Sequence, residues 1–440
     1  MKLSKLAMLA AVACGLFAGT VSAANTQGVM QVGCTQSCDC GEPVCGCEPI
    51  SCCNDGCDLG CDSGCDGCGL GIGDLIDGGL MGDCCLGDPY KLFDDYNGIT
   101  TGGWVQLGYH SAGAANGLRF NTRPDELQLQ QGWLFMEKGL DTSCGFDMGG
   151  RFDYVYGTDG QNTQSFGIPN NHWDNQWDNG ADYGHAIPQL YGEVGYGDLS
   201  IKAGKFFTTI GYEVVTAPDN FFYSHAYTFN NSEPFTHTGV MANYDLGDGN
   251  SVWGGYVLGW DSGFDDNGDA FLGGITSQLA DDVTLTWSMV GGRFNERFAA
   301  AAGPSERGYM QSIVLSAALS DSLQYVFQTD YLDTDNEAGA LVRRTTGINQ
   351  YLIYTINDCW GVGARAEWWQ YRDTVAGGEN DVVDLTFGVN YKPHANVLIR
   401  PEVRWDWDNN AASAAANNLN VNENANETQT TFGIDTIILF

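Results

Sequence analysis

The chain has 440 residues, 55 Asp plus Glu against 19 Lys plus Arg, a formal net charge of -36, 60 glycines and 16 cysteines. So acidic a chain lacks the clustered Lys and Arg that phosphate recognition needs, which excludes nucleic acid as a partner. With 43% hydrophobic and 12% aromatic residues it does not read as disordered. No stretch of the mature chain approaches the ~20 apolar residues of a membrane helix, although alternating strands could still cross at low average hydropathy.

Residues 1–23 read as a secretory signal: Lys2 and Lys5, the apolar run Leu6 to Thr20, then Val21-Ser22-Ala23 as a small-x-small cleavage site. Export makes disulfides possible. Residues 24–90 form an acidic extension without Lys or Arg. It holds Cys34, Cys38, Cys40, Cys45, Cys47, Cys52, Cys53, Cys57, Cys61, Cys65, Cys68, Cys84 and Cys85. Gly and Asp fill the gaps, so no core can form and covalent or metal links would have to hold any fold. Disulfide stapling is the first reading. The x2 and x3 spacings also suit thiolate metals, but the segment has no His and the compartment is oxidising. A third reading is a tail that cross-links to other chains.

From about residue 95 the period changes to two, the repeat of a strand. Phe146, Met148, Phe152, Tyr154 and Tyr156 oppose Asp147, Arg151 and Asp153. Val397, Ile399, Val403, Trp405 and Trp407 oppose Arg400, Glu402, Arg404 and Asp406. Sixteen strands are predicted: 99–110, 127–137, 145–156, 188–196, 199–206, 238–246, 251–260, 270–279, 283–292, 309–319, 322–332, 347–356, 360–371, 382–392, 396–407 and 429–440. Tight links such as Gly197-Asp198 and Ser320-Asp321 alternate with long polar ones such as 157–187, 207–237 and 408–428. That alternation belongs to an all-β, antiparallel up-and-down transmembrane barrel over 95–440, with short periplasmic turns and longer outer loops. A Greek-key sandwich has no reason to show it. Trp104, Trp133, Trp253, Trp260, Trp287, Trp360, Trp368, Trp369, Trp405 and Trp407 fall near strand ends, where an interfacial girdle is expected.

The chain closes on Phe432-Gly433-Ile434-Asp435-Thr436-Ile437-Ile438-Leu439-Phe440, an amphipathic strand with a terminal Phe. This looks like the assembly signal of Gram-negative outer-membrane barrels, with Phe440 as its last residue. With the periodicity and the signal it resembles the porin superfamily, most nearly the OmpL-like β-barrel porins of planctomycete-type bacteria, in which an exported barrel can follow a Cys-rich region. The resemblance implies an outer-membrane location. It also implies outer-membrane lipids and the barrel assembly machinery as partners, small hydrophilic solutes as cargo, and a homo-oligomer as an assembly to test for.

The aromatic link 207–237 is too long for a plain connection and too aromatic for disorder. It resembles the porin loop that folds inward and narrows the channel. Glu213, Asp219 and Glu233 are expected to present acids to the lumen, opposed by a basic wall of Arg151, Lys202, Arg365, Arg400 and Arg404. Rings of charge of this kind set ion selectivity. Arg and acid two apart on a strand also fit salt-bridge ladders within the wall. The outer loop Asp261 to Asp269 offers hard oxygens that suit calcium, but without EF-hand spacing a solvated acidic loop is the plainer reading. The segment His172 to Asn179 is similar. Cys144 and Cys359 fall in periplasmic turns, either as tolerated surface residues or as tethers for the extension.

No nucleophile elbow, P-loop or zincin spacing occurs, and Ser224-His225 are neighbours in sequence only. No enzyme, resident cofactor or metal is therefore expected. The function implied is a water-filled channel for passive diffusion; the alternative is a structural surface protein whose barrel anchors a cross-linking Cys-rich segment.

Overall fold

A computed structural model describes residues 84, 86–112, 120–121, 123–166, 168–265, 268–294, 306–373, 378–408 and 428–440. The expected signal, the extension up to residue 83 and Cys85 lie outside the described residues. Sixteen strands form a closed antiparallel barrel. They are β1 Thr100–His110, β2 Gln128–Lys138, β3 Phe146–Gly157, β4 Tyr183–Tyr196, β5 Leu199–Phe207, β6 Thr236–Gly247, β7 Asn250–Val257 and β8 Asp269–Ala280, followed by β9 Val283–Arg293, β10 Arg307–Ser320, β11 Leu323–Asp335, β12 Leu341–Thr355, β13 Trp360–Asp373, β14 Gly378–His394, β15 Val397–Asp408 and β16 Thr428–Leu439. Two short helices, α1 Thr158–Thr163 and α2 Tyr227–Ser232, lie in the long loops after β3 and β5. Asp178–Asn179 pairs only with Gly184 and Tyr183 and is a loop ribbon.

The barrel is turned inside out relative to a soluble sandwich. Along β15 burial alternates residue by residue. Arg400, Glu402, Arg404, Asp406 and Asp408 are buried. The apolar Val397, Ile399, Val403, Trp405 and Trp407 are the more exposed set. An apolar face left open and a charged face enclosed suit lipid outside and a polar interior. Closure joins the two ends of the sheet, with Trp104 opposite Leu439 and His110 opposite Gly433. The amide N–H of Gly103 donates to Phe440 O and that of Phe440 to Gly103 O, both at 3.0 Å. Gly103 is required by close approach: a Cβ there would lie 2.8 Å from the Phe440 ring.

The strand ends differ from expectation where loop edges pair. β4 begins at Tyr183, and β12 begins at Leu341, leaving only Asn336 to Ala340 between it and β11. Pairs such as Asp333 with Arg344 continue the ladder there. The tryptophans do not form one girdle. Trp104, Trp133, Trp260 and Trp369 are buried. Buried indole N–H groups donate to wall and loop side chains, Trp104 to Gln131, Trp133 to Asp153 and Trp369 to Ser232. A strand residue's parity, not its distance from the strand end, decides which solvent it meets.

At the end of the barrel that carries the short turns, the lead-in to β1 is bound to the β14–β15 turn: Ala395 N–H donates to Leu86 O at 2.9 Å, and Asn396 exchanges two hydrogen bonds with the Tyr90 backbone. Cys84 is disulfide-bonded, as is Cys359 in the turn before β13. Cys144 is an exposed free thiol.

Candidate functional site: a loop clamped to the inner wall

Residues 208–235, between β5 and β6, leave the strand ladder and pack against the inner wall. The wall makes room for them by omitting side chains. A Cβ on Gly363 of β13 would lie 2.5 Å from the Phe221 ring, on Gly388 of β14 3.0 Å from Phe222, and on Gly433 of β16 2.8 Å from Tyr223. On Gly347 of β12 it would meet Thr228 Oγ1. Four strands thus give up a side chain where the loop crosses them, which accounts for part of the glycine content.

Charged wall residues then satisfy the loop's main chain. Arg400 donates to the carbonyls of Ala217, Asn220 and Phe222 at 2.8, 2.6 and 3.2 Å. Glu402 accepts from the N–H groups of Tyr223 at 3.0 Å and Ser224 at 3.1 Å. Arg404 donates to His225 O at 2.7 Å and Arg365 to Ser224 O at 2.6 Å. Glu367 accepts from the N–H groups of Tyr227 at 2.6 Å and Thr228 at 2.7 Å. Those last two are N-terminal amides of α2, which has no side-chain cap of its own, so the wall carboxylate meets the donors that a helix start leaves unpaired. A loop buried inside a barrel must find partners for every backbone polar group, and alternating cations and carboxylates at i and i+2 supply donors and acceptors in turn.

The wall cations are held in turn by wall acids. Arg365 and Arg404 share Asp384 at 3.1 and 3.3 Å, Arg404 pairs with Asp406 at 2.8 Å, and Arg400 with Asp435 at 2.5 Å. Glu213 is the loop's own contribution. It pairs with Arg365 at 2.9 Å and accepts from His225, Ala226 N–H and Tyr351. Burial alone would raise its pKa; Arg365, His225 and the Ala226 amide outweigh that and hold it at about 2.

Of the expected acids and bases, Glu213 and Arg365 are in direct contact at 2.9 Å. Glu213, Arg365, Arg400 and Arg404 come together in this network. Glu233 of the loop is buried against β11, where Gln328 Nε2 donates to it at 2.5 Å. Asp219 accepts from Thr216 Oγ1 at 2.6 Å, and burial raises its pKa despite Arg151 and Arg400 nearby. Arg151 and Lys202 are apart from the clamp. Arg151 pairs with Glu137 and Asp153 and lies over Phe135, while Lys202 lies over the Tyr191 and Phe206 rings. Sequence reading did not single out Glu367, Asp384, Glu402, Asp406 and Asp435 as site residues. Their signal was the two-residue spacing from an Arg on the same strand face, or, for Asp384 and Asp435, alternation on a neighbouring strand.

Loop 158–182 packs inward as well. Buried Lys205 bonds Ser165 Oγ and lies 3.8 Å from Asp174, whose carboxylate accepts from the Ser165 and Ile187 amides. Asp261, a calcium candidate by sequence, is buried and takes the Phe235 and Thr236 amides at 2.6 and 3.0 Å. It closes the loop's return. Asp266 and Asn267 lie outside the described residues. His172 pairs with Asp265 at 3.1 Å.

By sequence no characterised protein matches. Solved outer-membrane structures share the fold. OmpT of Vibrio cholerae in its trimer form aligns at TM-score 0.55 and 12% identity, over 78% of this chain and 99% of that one. OmpF of Salmonella typhi, in complex with daunomycin, aligns at TM-score 0.54 and 12% identity over 79% and 100%. The anion-selective porin of Comamonas acidovorans aligns at TM-score 0.51 and 10% identity over 78% and 99%. The family profile matches residues 98–440, the whole barrel. Inverted polarity, closure on a terminal Phe and that match agree, and the chain belongs to the OmpL-like beta-barrel porin-2 family of the outer membrane.

Proposed function

We propose that this barrel is a passive channel for small hydrophilic solutes and ions, and that loop 208–235 sets its constriction. The observation that carries this reading is the main chain of residues 217–228 clamped to the inner wall by Arg365, Glu367, Arg400, Glu402 and Arg404. A loop fixed at so many points narrows a lumen to a constant width, so screening is by size and by the charges left facing water. Because Glu213 and the arginines neutralise one another, selectivity falls to the charges outside the clamp, Lys202 among them. The channel performs no chemistry on its solute. A trimer, as in the OmpT structure, is the assembly proposed, with Phe440 read by the assembly machinery during insertion.

The test is single-channel recording of the purified full chain in planar bilayers. Discrete conductance steps, enlarged when residues 214–232 are replaced by a short Gly-Ser link, are expected. Silence of both proteins, together with disulfide-linked multimers, would instead favour a structural anchor.

A further inference from the structure

The loop's two ends converge on one point of β11. Glu233 closes the return limb, and the Gln328 amide Nε2 donates both to Glu233 Oε1 at 2.5 Å and to Asp330 Oδ2 at 2.8 Å. One amide thus holds two buried carboxyls side by side, each within hydrogen-bond reach of the same nitrogen. Two buried carboxyls gathered on one neutral amide are compatible only with a proton on one of them. The outgoing limb meets the same place: Tyr212 N–H donates to Gln328 Oε1 at 3.2 Å, and a Cβ on Gly211 would lie 2.5 Å from Glu233 Cδ.

We propose that Glu233 and Asp330 form a proton-held latch that fastens both ends of loop 208–235 to β11 and lets go as pH rises. Two adjacent buried carboxylates cannot both ionise without strong repulsion. The other groups acting on the pair do not relieve it. Glu213 of the loop adds negative charge, and Tyr351 of β12 and Ser312 of β10 bring no positive charge. The Arg365 guanidinium is engaged by Glu213, Asp384 and Ser224. Burial first, and Asp330 second, push Glu233 well above the usual carboxylate range. A raised pKa gives a contribution fully present below the free carboxyl's 4.5 and lost as pH climbs through the docked value. The clamp of arginines and glutamates does not depend on this proton, so release is confined to the loop's two ends. The latch rests on the docking of the loop, and only its effect on conductance rests on the channel reading.

The experiment is hydrogen exchange of the refolded full chain in micelles between pH 5 and 9, following amides of residues 208–213 and 229–235 and corrected for intrinsic rates. Wild-type protection should fall by up to about tenfold per pH unit above the pair's titration, the slope of one proton. Glu233→Gln and Asp330→Asn should each flatten that slope, since a neutral amide can donate to the remaining carboxylate at any pH. A flat wild-type profile, or an unchanged slope in both variants, overturns the latch. If one variant fails to fold, the other decides. Conductance steps with pH-flat exchange would overturn the latch alone. A silent protein whose exchange keeps the expected slope would support the latch and sink the channel reading.

Discussion

Arg400→Ala probes the clamp most directly, because one guanidinium serves both wall and loop. On the wall it pairs with Asp435, which would keep only the Gln106 amide at 2.7 Å. Leaving a buried carboxylate without its cation costs roughly 3–5 kcal/mol. On the loop, the carbonyls of Ala217, Asn220 and Phe222 lose their shared donor. At about 1 kcal/mol net per hydrogen bond, that is ~3 kcal/mol, or roughly a hundredfold in the loop's opening equilibrium. Asp435→Asn separates the two contributions, since it removes the wall charge but leaves the loop contacts in place. Urea unfolding followed by tryptophan fluorescence reads the wall, and hydrogen exchange of residues 217–224 reads the loop. Arg400→Ala should lower both, and Asp435→Asn the first far more than the second. Loop protection in Arg400→Ala within twofold of wild type would refute the assignment of the clamp.

Two further predictions concern the groove and the ion pair. Gly363→Ala drives a methyl into the Phe221 ring and should cost about 1–3 kcal/mol of urea stability, typical of overpacking. Gly192→Ala, with nothing within 4 Å of the new Cβ, serves as the control; equal losses would dismiss the groove. Glu213 is held at about 2 against an ordinary 4.5, a difference worth about 3 kcal/mol. A depressed pKa gives stability present above the unfolded value and lost as pH falls toward the folded one. Protection of residues 213 and 224–226 should therefore be steady above about pH 4.5 and decline below it, whereas Glu213→Gln should be lower and flat over that acid range. A Glu213→Gln profile that tracks wild type would count against the Arg365 pairing.

The sequence by itself determined the wall. A two-residue period fixes which side chains share a face, and alternating link lengths fix which neighbours pair. Both are local, so a chain of Arg400, Glu402, Arg404 and Asp406 opposite Ile399, Val403 and Trp405 could be read as one wet and one lipid face without coordinates. The tertiary structure decided what the wet face meets. Glu402 is 178 residues from Ser224 and Arg365 is 152 from Glu213, and no local pattern links residues so far apart. Sequence could name both groups as charged but not say whether water or a loop lay between them. Glycines carried the same ambiguity: Gly347, Gly363, Gly388 and Gly433 read as ordinary gaps in strands until Thr228, Phe221, Phe222 and Tyr223 were found filling them. Contact across a closed barrel is a property of closure, which no single strand contains.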